Sequence, residues 1–202
     1  MPEWLEEINR DFNHPSIVGW CPFNETYHLS QDKDVQELTY LATKQADPTR
    51  PCIDSSGGVH SMTDLFDVHD YEQNPEVFRQ SFASLPNYEE YAWLKQKLQN
   101  SFHEGYKGDI PFFVSEYGGI RWTDDDSGWG YGEAPKKREE FLSRLKELTD
   151  VLLDNPYIMG FCYTQLTDIE QEQNGLYTYD RIPKFPPEEI RKIFGRPAAI
   201  EK

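Results

Sequence analysis

Short apolar runs bounded by Pro, Gly and Asn alternate along the chain with stretches whose apolar residues recur three and four apart. The short runs, residues 17–23, 51–54, 65–71, 111–115 and 157–164, predict five strands. The helical period appears in residues 2–12 (Leu5, Ile8, Phe12), in 30–47 (Val35, Leu38, Leu41) and in 87–106 (Tyr91, Leu94, Leu98, Phe102). It is clearest in 136–155 (Phe141, Leu145, Leu148, Leu152), where Asn155-Pro156 stops it, and a short last helix spans 186–194 before Gly195. Pro2 sits in a first turn and Ser30 opens the second helix. Strands and helices that alternate in this way predict an α/β chain built on a parallel sheet.

Two of the runs end in carboxylates. Residues 17–23 lead into Asn24-Glu25, and the run that begins at Pro111 ends in Ser115-Glu116-Tyr117-Gly118-Gly119. Parallel α/β folds place their sites at the carboxyl ends of strands, so Glu25 and Glu116 are the residues to explain. Two such carboxylates point to acid/base or nucleophile chemistry on a sugar. Alternation in 65–71 places Leu65, Asp67, His69 and Tyr71 on one face, which gathers polar groups there. Asp54 ends another strand and is a further substrate-contact candidate. Ser55-Ser56-Gly57-Gly58 fits a βα loop and lacks the spacing of a phosphate cradle. The long loop from Gly118 to Pro135 carries Trp122, Trp129 and Tyr131, aromatic enough for a rim loop whose rings could stack on sugar faces. Its Asp124-Asp125-Asp126 lacks the alternation of a Ca²⁺ loop and reads as a solvated turn, so no metal site is expected.

Composition narrows the picture further. The 202 residues are 37% hydrophobic and 14% aromatic, enough for a core, and no apolar stretch approaches the roughly 20 residues of a membrane helix. No membrane partner is therefore expected. The net charge of −16 works against phosphate-backbone binding, which draws on clustered Lys and Arg, so nucleic acid is set aside. Cys21, Cys52 and Cys162 are widely spaced in apolar runs and read as buried free thiols. No signal-peptide pattern opens the chain, and the compartment, cytoplasmic or secreted, depends on the parent's N-terminus.

The stretch His14-Pro15-Ser16-Ile17-Val18-Gly19-Trp20-Cys21-Pro22-Phe23-Asn24-Glu25 resembles the acid/base signature of glycoside hydrolase family 2, which includes β-galactosidases, β-glucuronidases and β-mannosidases. Ser115-Glu116-Tyr117-Gly118-Gly119 resembles its nucleophile strand, and Asp67-Val68-His69-Asp70-Tyr71 its sixth-strand segment. Gly160-Phe161-Cys162-Tyr163-Thr164-Gln165-Leu166-Thr167-Asp168 resembles its final strand. The resemblance implies a partial (β/α)8 TIM barrel, parallel, with strands four to eight. Residues 1–202 would be the C-terminal part of the catalytic domain, without its first three strands and the preceding β-sandwich domains. Five strands cannot close such a barrel, so a fragment is expected, or else self-association or pairing with the missing barrel half.

The resemblance also assigns roles. Glu116 would be the nucleophile and Glu25 the acid/base of a double displacement with retention. Asn24 would bind the sugar 2-hydroxyl, His69 other hydroxyls, and Tyr71 would hold Glu116; Asp54 and Trp122 stay substrate-binding candidates. No metal or organic cofactor is implied, and the partner is a carbohydrate. Many members end the last strand in Trp, where this chain has Thr164-Gln165. Glucuronidases of the family carry Asn-x-Lys, which occurs nowhere here, so a β-galactoside is the expected substrate, with a β-mannoside, a β-glucuronide or binding without turnover as alternatives.

Overall fold

The computed structural model describes residues 1–26, 32–89, 105–123 and 128–202. Ser30, most of the helix expected over 87–106, and Asp124–Asp126 lie outside these residues. The chain divides into two compact units, Met1–Val68 with Pro86–Phe113, and His69–Leu85 with Val114–Lys202. Three strands, β1 (Phe66–Asp70), β2 (Phe112–Gly118) and β3 (Ile158–Thr164), pair in parallel in the order β1-β2-β3. The other two expected strands are not regular. Residues 17–23 and 51–54 meet through an isolated parallel bridge, Trp20 with Cys52, and a second one, Asn24 with Ser56, lies just beyond them. Four backbone hydrogen bonds of 2.8–2.9 Å make this broken ladder: Trp20 to Pro51, Ile53 to Trp20, Ser56 to Phe23 and Glu25 to Ser56. Pro22 and Pro51 have no N–H to extend it, and Val18, expected in a buried run, is 81% exposed.

In the first unit, α1 (Pro2–Asp11) packs on α2 (Lys33–Ala46). Asp32 caps α2 by accepting from the amides of Asp34 and Val35. The periodicity finds this helix, but its apolar positions are not the ones that face inward. Val35, Leu38 and Leu41 are 54%, 61% and 50% exposed, whereas Gln36, Thr39 and Thr43 are buried. Burial of these polar residues is tolerable because each is hydrogen-bonded. Thr39 and Thr43 donate to the carbonyls of Val35 and Thr39 one turn back, the Trp4 indole donates to Thr43, and Gln36 donates to Asp54 and to the Val59 carbonyl. A small core of Ile8, Trp20 and Cys52 lies against Trp4, Leu5, Ile17 and Tyr40. The Trp20 indole donates to the buried carboxylate of Asp47 at 2.8 Å, which also takes Arg50 and Thr49. Burial opposes charge on Asp47, but these donors outweigh it and hold its pKa well below the ordinary value.

In the second unit, α4 (Arg138–Leu153) turns Phe141, Leu145, Leu148 and Leu152 inward, each 2% exposed or less, and burying each leucine contributes about 2 kcal/mol. Tyr117 of β2 is fully buried, and its hydroxyl pairs with Thr149 of α4 at 2.7 Å. A helix that the apolar pattern did not announce, α3 (Pro75–Ser81), is capped by Asn74, whose side chain accepts from the Glu76 and Val77 amides. The Asn-Pro-Glu start was the available signal. The last helix, α5 (Pro187–Phe194), is joined to α4 by Arg138 donating to Glu189 at 3.1 Å. All three cysteines are free as expected, but only Cys52 is buried; Cys21 and Cys162 are exposed. Among the described residues no helix is long and apolar enough to cross a membrane.

Candidate active site

β2 delivers Glu116 from within the strand, flanked by the buried Ser115 and Tyr117. Its own carboxylate stays 29% exposed, so a ligand can reach it. One oxygen, Oε2, accepts a hydrogen bond from the Tyr71 hydroxyl, and the other lies 3.4 Å from Nε2 of His69, whose side chain is only 5% exposed. The Tyr71 oxygen is also 3.1 Å from the Thr164 hydroxyl at the end of β3. Its single proton is given to Glu116, so it accepts from the threonine. Burial, then the bond to Glu116, push the Tyr71 pKa far upward, which keeps the phenol protonated and therefore a donor at every working pH.

Tyr71 is itself braced. Tyr131 of the rim loop stacks on it with ring centroids 3.6 Å apart and planes 5° from parallel, and the Tyr131 amide donates to the Gly119 carbonyl at 2.9 Å. Gly119 has φ +60° and a Cβ there would overlap the Tyr131 ring; Gly118 at φ +80° stands equally close to Tyr163. The glycines behind Glu116 thus let two aromatic rings close against the strand end. Gln73 adds a tie by donating to the carbonyls of Tyr71 and Gly118.

The first unit holds Asn24 and Glu25. Asn24 is exposed and Glu25 half-buried. Glu25 has φ +48°, an uncommon conformation for a side chain other than Gly, Asn or Asp. Its amide donates to the Ser56 carbonyl at 2.8 Å.

Two of the substrate-contact candidates sit differently from expectation. Asp54 is fully buried and its oxygens are occupied by Gln36, His60 and the amides of Ser55, Ser61 and Met62. It has no face left for a sugar: the carboxylate at this strand end turned inward because buried donors surround it. The Trp122 ring packs against Phe141 and Phe185 at 6.0 and 5.8 Å, and the residue also borders a cleft of about 460 Å³ with Asp168, Gln173 and Lys184. Sequence reasoning had not seen Thr164 as a partner of Tyr71, nor the stack of Tyr131 on it; no local pattern encodes either contact.

A parallel α/β chain that presents a braced, reachable glutamate near a strand end belongs to the class of strand-end carboxylate sites. The family model described as "Glycosyl hydrolases family 2, TIM barrel domain" matches residues 3–196, and the chain belongs to that family. A β-galactosidase from Photobacterium profundum is 30% identical over 159 residues, which covers 65% of this chain and 15% of that protein. A β-glucuronidase from Rattus norvegicus is 27% identical over 216 residues, covering 95% of this chain and 30% of that protein. The chain therefore spans less than a third of the length of these relatives. Among solved structures, a β-galacturonidase from Eisenbergiella tayi bound to galacturonate superposes with a TM-score of 0.63 at 19% identity, over 95% of this chain and 35% of that one.

Proposed function

We propose that the chain is the C-terminal part, strands four to eight, of the catalytic barrel of a retaining β-glycosidase. The observation that carries this reading is Glu116, 29% exposed near the carboxyl end of β2, with a phenolic donor on one oxygen and an imidazole beside the other. A carboxylate held by two partners and still partly exposed is prepared to attack an anomeric carbon with little reorganisation. In the first half-reaction Glu116 forms the C–O bond of a glycosyl ester as the bond to the leaving oxygen breaks. Glu25 gives that oxygen its proton. In the second, Glu25 takes a proton from water, the water oxygen bonds to the anomeric carbon, and Glu116 leaves as carboxylate. Tyr71 orients Glu116, Asn24 and His69 bind sugar hydroxyls, and Trp122 is retained only as a cleft-lining contact.

A β-galactoside is the substrate we favour, supported by the similarity to a β-galactosidase at 30% identity and by the lack of any Asn-x-Lys sequence. A β-glucuronide is the second reading, favoured by the β-glucuronidase similarity that extends over 95% of the chain. Hydrolysis of 4-nitrophenyl β-galactoside, β-glucuronide and β-mannoside, with Glu116→Gln alongside, tests both. Expected is turnover of one glycoside that falls by about 10⁴-fold or more in Glu116→Gln, since a nucleophile and its partners act as a unit. Activity that survives the substitution overturns the assignment of Glu116. Sugar binding without hydrolysis in the unsubstituted chain would make this piece a binding module.

A further inference from the structure

Besides Asp47, the first unit buries a cluster of ionisable groups that the proposed mechanism does not use: Asp54 and Asp67, 0% and 2% exposed, and His60 between them, also 2% exposed. His60 Nδ1 is 2.8 Å from Asp54 Oδ1, and Nε2 is 3.0 Å from the Asp67 carbonyl and 3.3 Å from its Oδ1. Both ring nitrogens face oxygen, which an imidazolium satisfies by donating at each end. Burial opposes that charge, but the bond to Asp54 and the charge of Asp67 outweigh it and raise the pKa to about 9. Burying such a group of charges is no route to stability compared with an apolar core. Its position points to another use.

Asp67 Oδ2 accepts from the Ser56 hydroxyl and from the Gly57 amide, both at 2.9 Å. Ser56 in turn brackets Asn24. Its amide donates to the Phe23 carbonyl and its carbonyl accepts from the Glu25 amide, both at 2.8 Å. The next residue is clamped as well: Thr26 Oγ1 lies 2.8 Å from Ser55 Oγ and accepts from the Val59 amide at 3.3 Å. Gly58 has no Cβ because one would fall 2.9 Å from the Thr26 nitrogen. Glu25 meanwhile holds φ +48°, a conformation that costs of order 1 kcal/mol and persists only where its surroundings impose it.

We propose that Asp67 and His60 are positioning residues for Glu25, acting through Ser56. Asp67, anchored by His60 and Asp54, fixes the loop at residues 55–59, and the loop fixes the backbone of residues 23–26 in the conformation that sets the direction of the Glu25 side chain. The proposal rests on the reading of Glu25 as the acid/base for its functional consequence, though not for its geometry.

The test has two independent readouts. The first needs no turnover: hydrogen exchange of the Glu25 amide, compared with the Trp20 amide in the same broken ladder, in Asp67→Asn and in the milder Ser56→Ala, which removes only the hydroxyl link. Expected is exchange about 10-fold or more faster at Glu25 with Trp20 little changed. Equal rates before and after substitution, or equal acceleration at both amides, overturns the proposal. The second readout is kcat/KM for a phenyl and a 2,4-dinitrophenyl β-glycoside, the latter having a leaving group that needs little protonation. A displaced acid should lower the phenyl rate about 10–100-fold while the dinitrophenyl rate changes less than about 3-fold. Equal losses on the two substrates in Ser56→Ala overturn it. Glu25→Gln separates the two claims: if it depresses both substrates alike, the acid/base reading of Glu25 fails, while the exchange result still decides the positioning role.

Discussion

Glu116 and Glu25 both belong to apolar runs, and the contacts around them differ in kind. Glu116 stands in a regular strand, and its carboxylate is gripped directly: Tyr71 donates to it, His69 lies beside it, and Tyr131 stacks on Tyr71 from behind. Glu25 stands after a broken ladder, and its backbone is gripped by Ser56 and through Ser56 by Asp67 and the buried His60. In the proposed role of nucleophile, Glu116 must present one oxygen along one line, so fixing the carboxylate itself is useful. In its proposed role Glu25 must give up and take back a proton at one place, and a fixed backbone sets the direction from which its side chain starts.

The comparison can be broken most sharply at Tyr71. Tyr71→Phe keeps the ring and its stack on Tyr131 but removes a hydrogen bond to a charged group, worth about 1.5–3 kcal/mol. A fall in kcat of about 10–100-fold with little change in KM is expected in steady-state hydrolysis, and an unchanged kcat would mean that Glu116 needs no such grip.

The buried His60 makes the first unit sensitive to pH. The His60 pKa is raised by folding from 6.5 to about 9, so the stability that it supplies is complete below pH 6.5, declines across 6.5–9 and is absent above about 9. The Asp54 pKa is lowered, since its hydrogen bonds outweigh burial, so its contribution is present above pH 3.8 and is lost as pH falls below that value. Thermal unfolding at pH 6, 7.5 and 9 should show the midpoint falling more steeply in the parent than in His60→Gln. Parallel slopes would remove the imidazolium from the account.

The smallest effect is expected on the outer face of α2. Leu38→Gln should change stability by no more than about 0.5 kcal/mol in urea unfolding, because the side chain is 61% exposed. A loss of several times that size would show that α2 presents this face to a core.

Much of the fold is legible in the sequence. The four leucine-spaced positions of α4 meet one buried face, and the runs that became β1, β2 and β3 were recognisable from length and β-branched or aromatic content. The motifs around Glu25 and Glu116 carried the family. The face of α2 was not legible, because the pattern counts apolar residues and cannot know that Gln36, Thr39 and Thr43 will each find a partner. The fate of Asp54 was hidden for the same reason: a carboxylate at a strand end looks alike whether it meets a sugar or five buried donors. Local sequence by itself determined most of the helices, the three strands and the two apolar runs that carry Glu25 and Glu116, since periodicity and turn residues act over a few positions. Only the tertiary structure decided which polar groups are enclosed, how Tyr71 reaches Glu116 across 45 residues, and how Asp67 reaches Ser56. Those contacts join distant segments, and their energies depend on burial that no local pattern records.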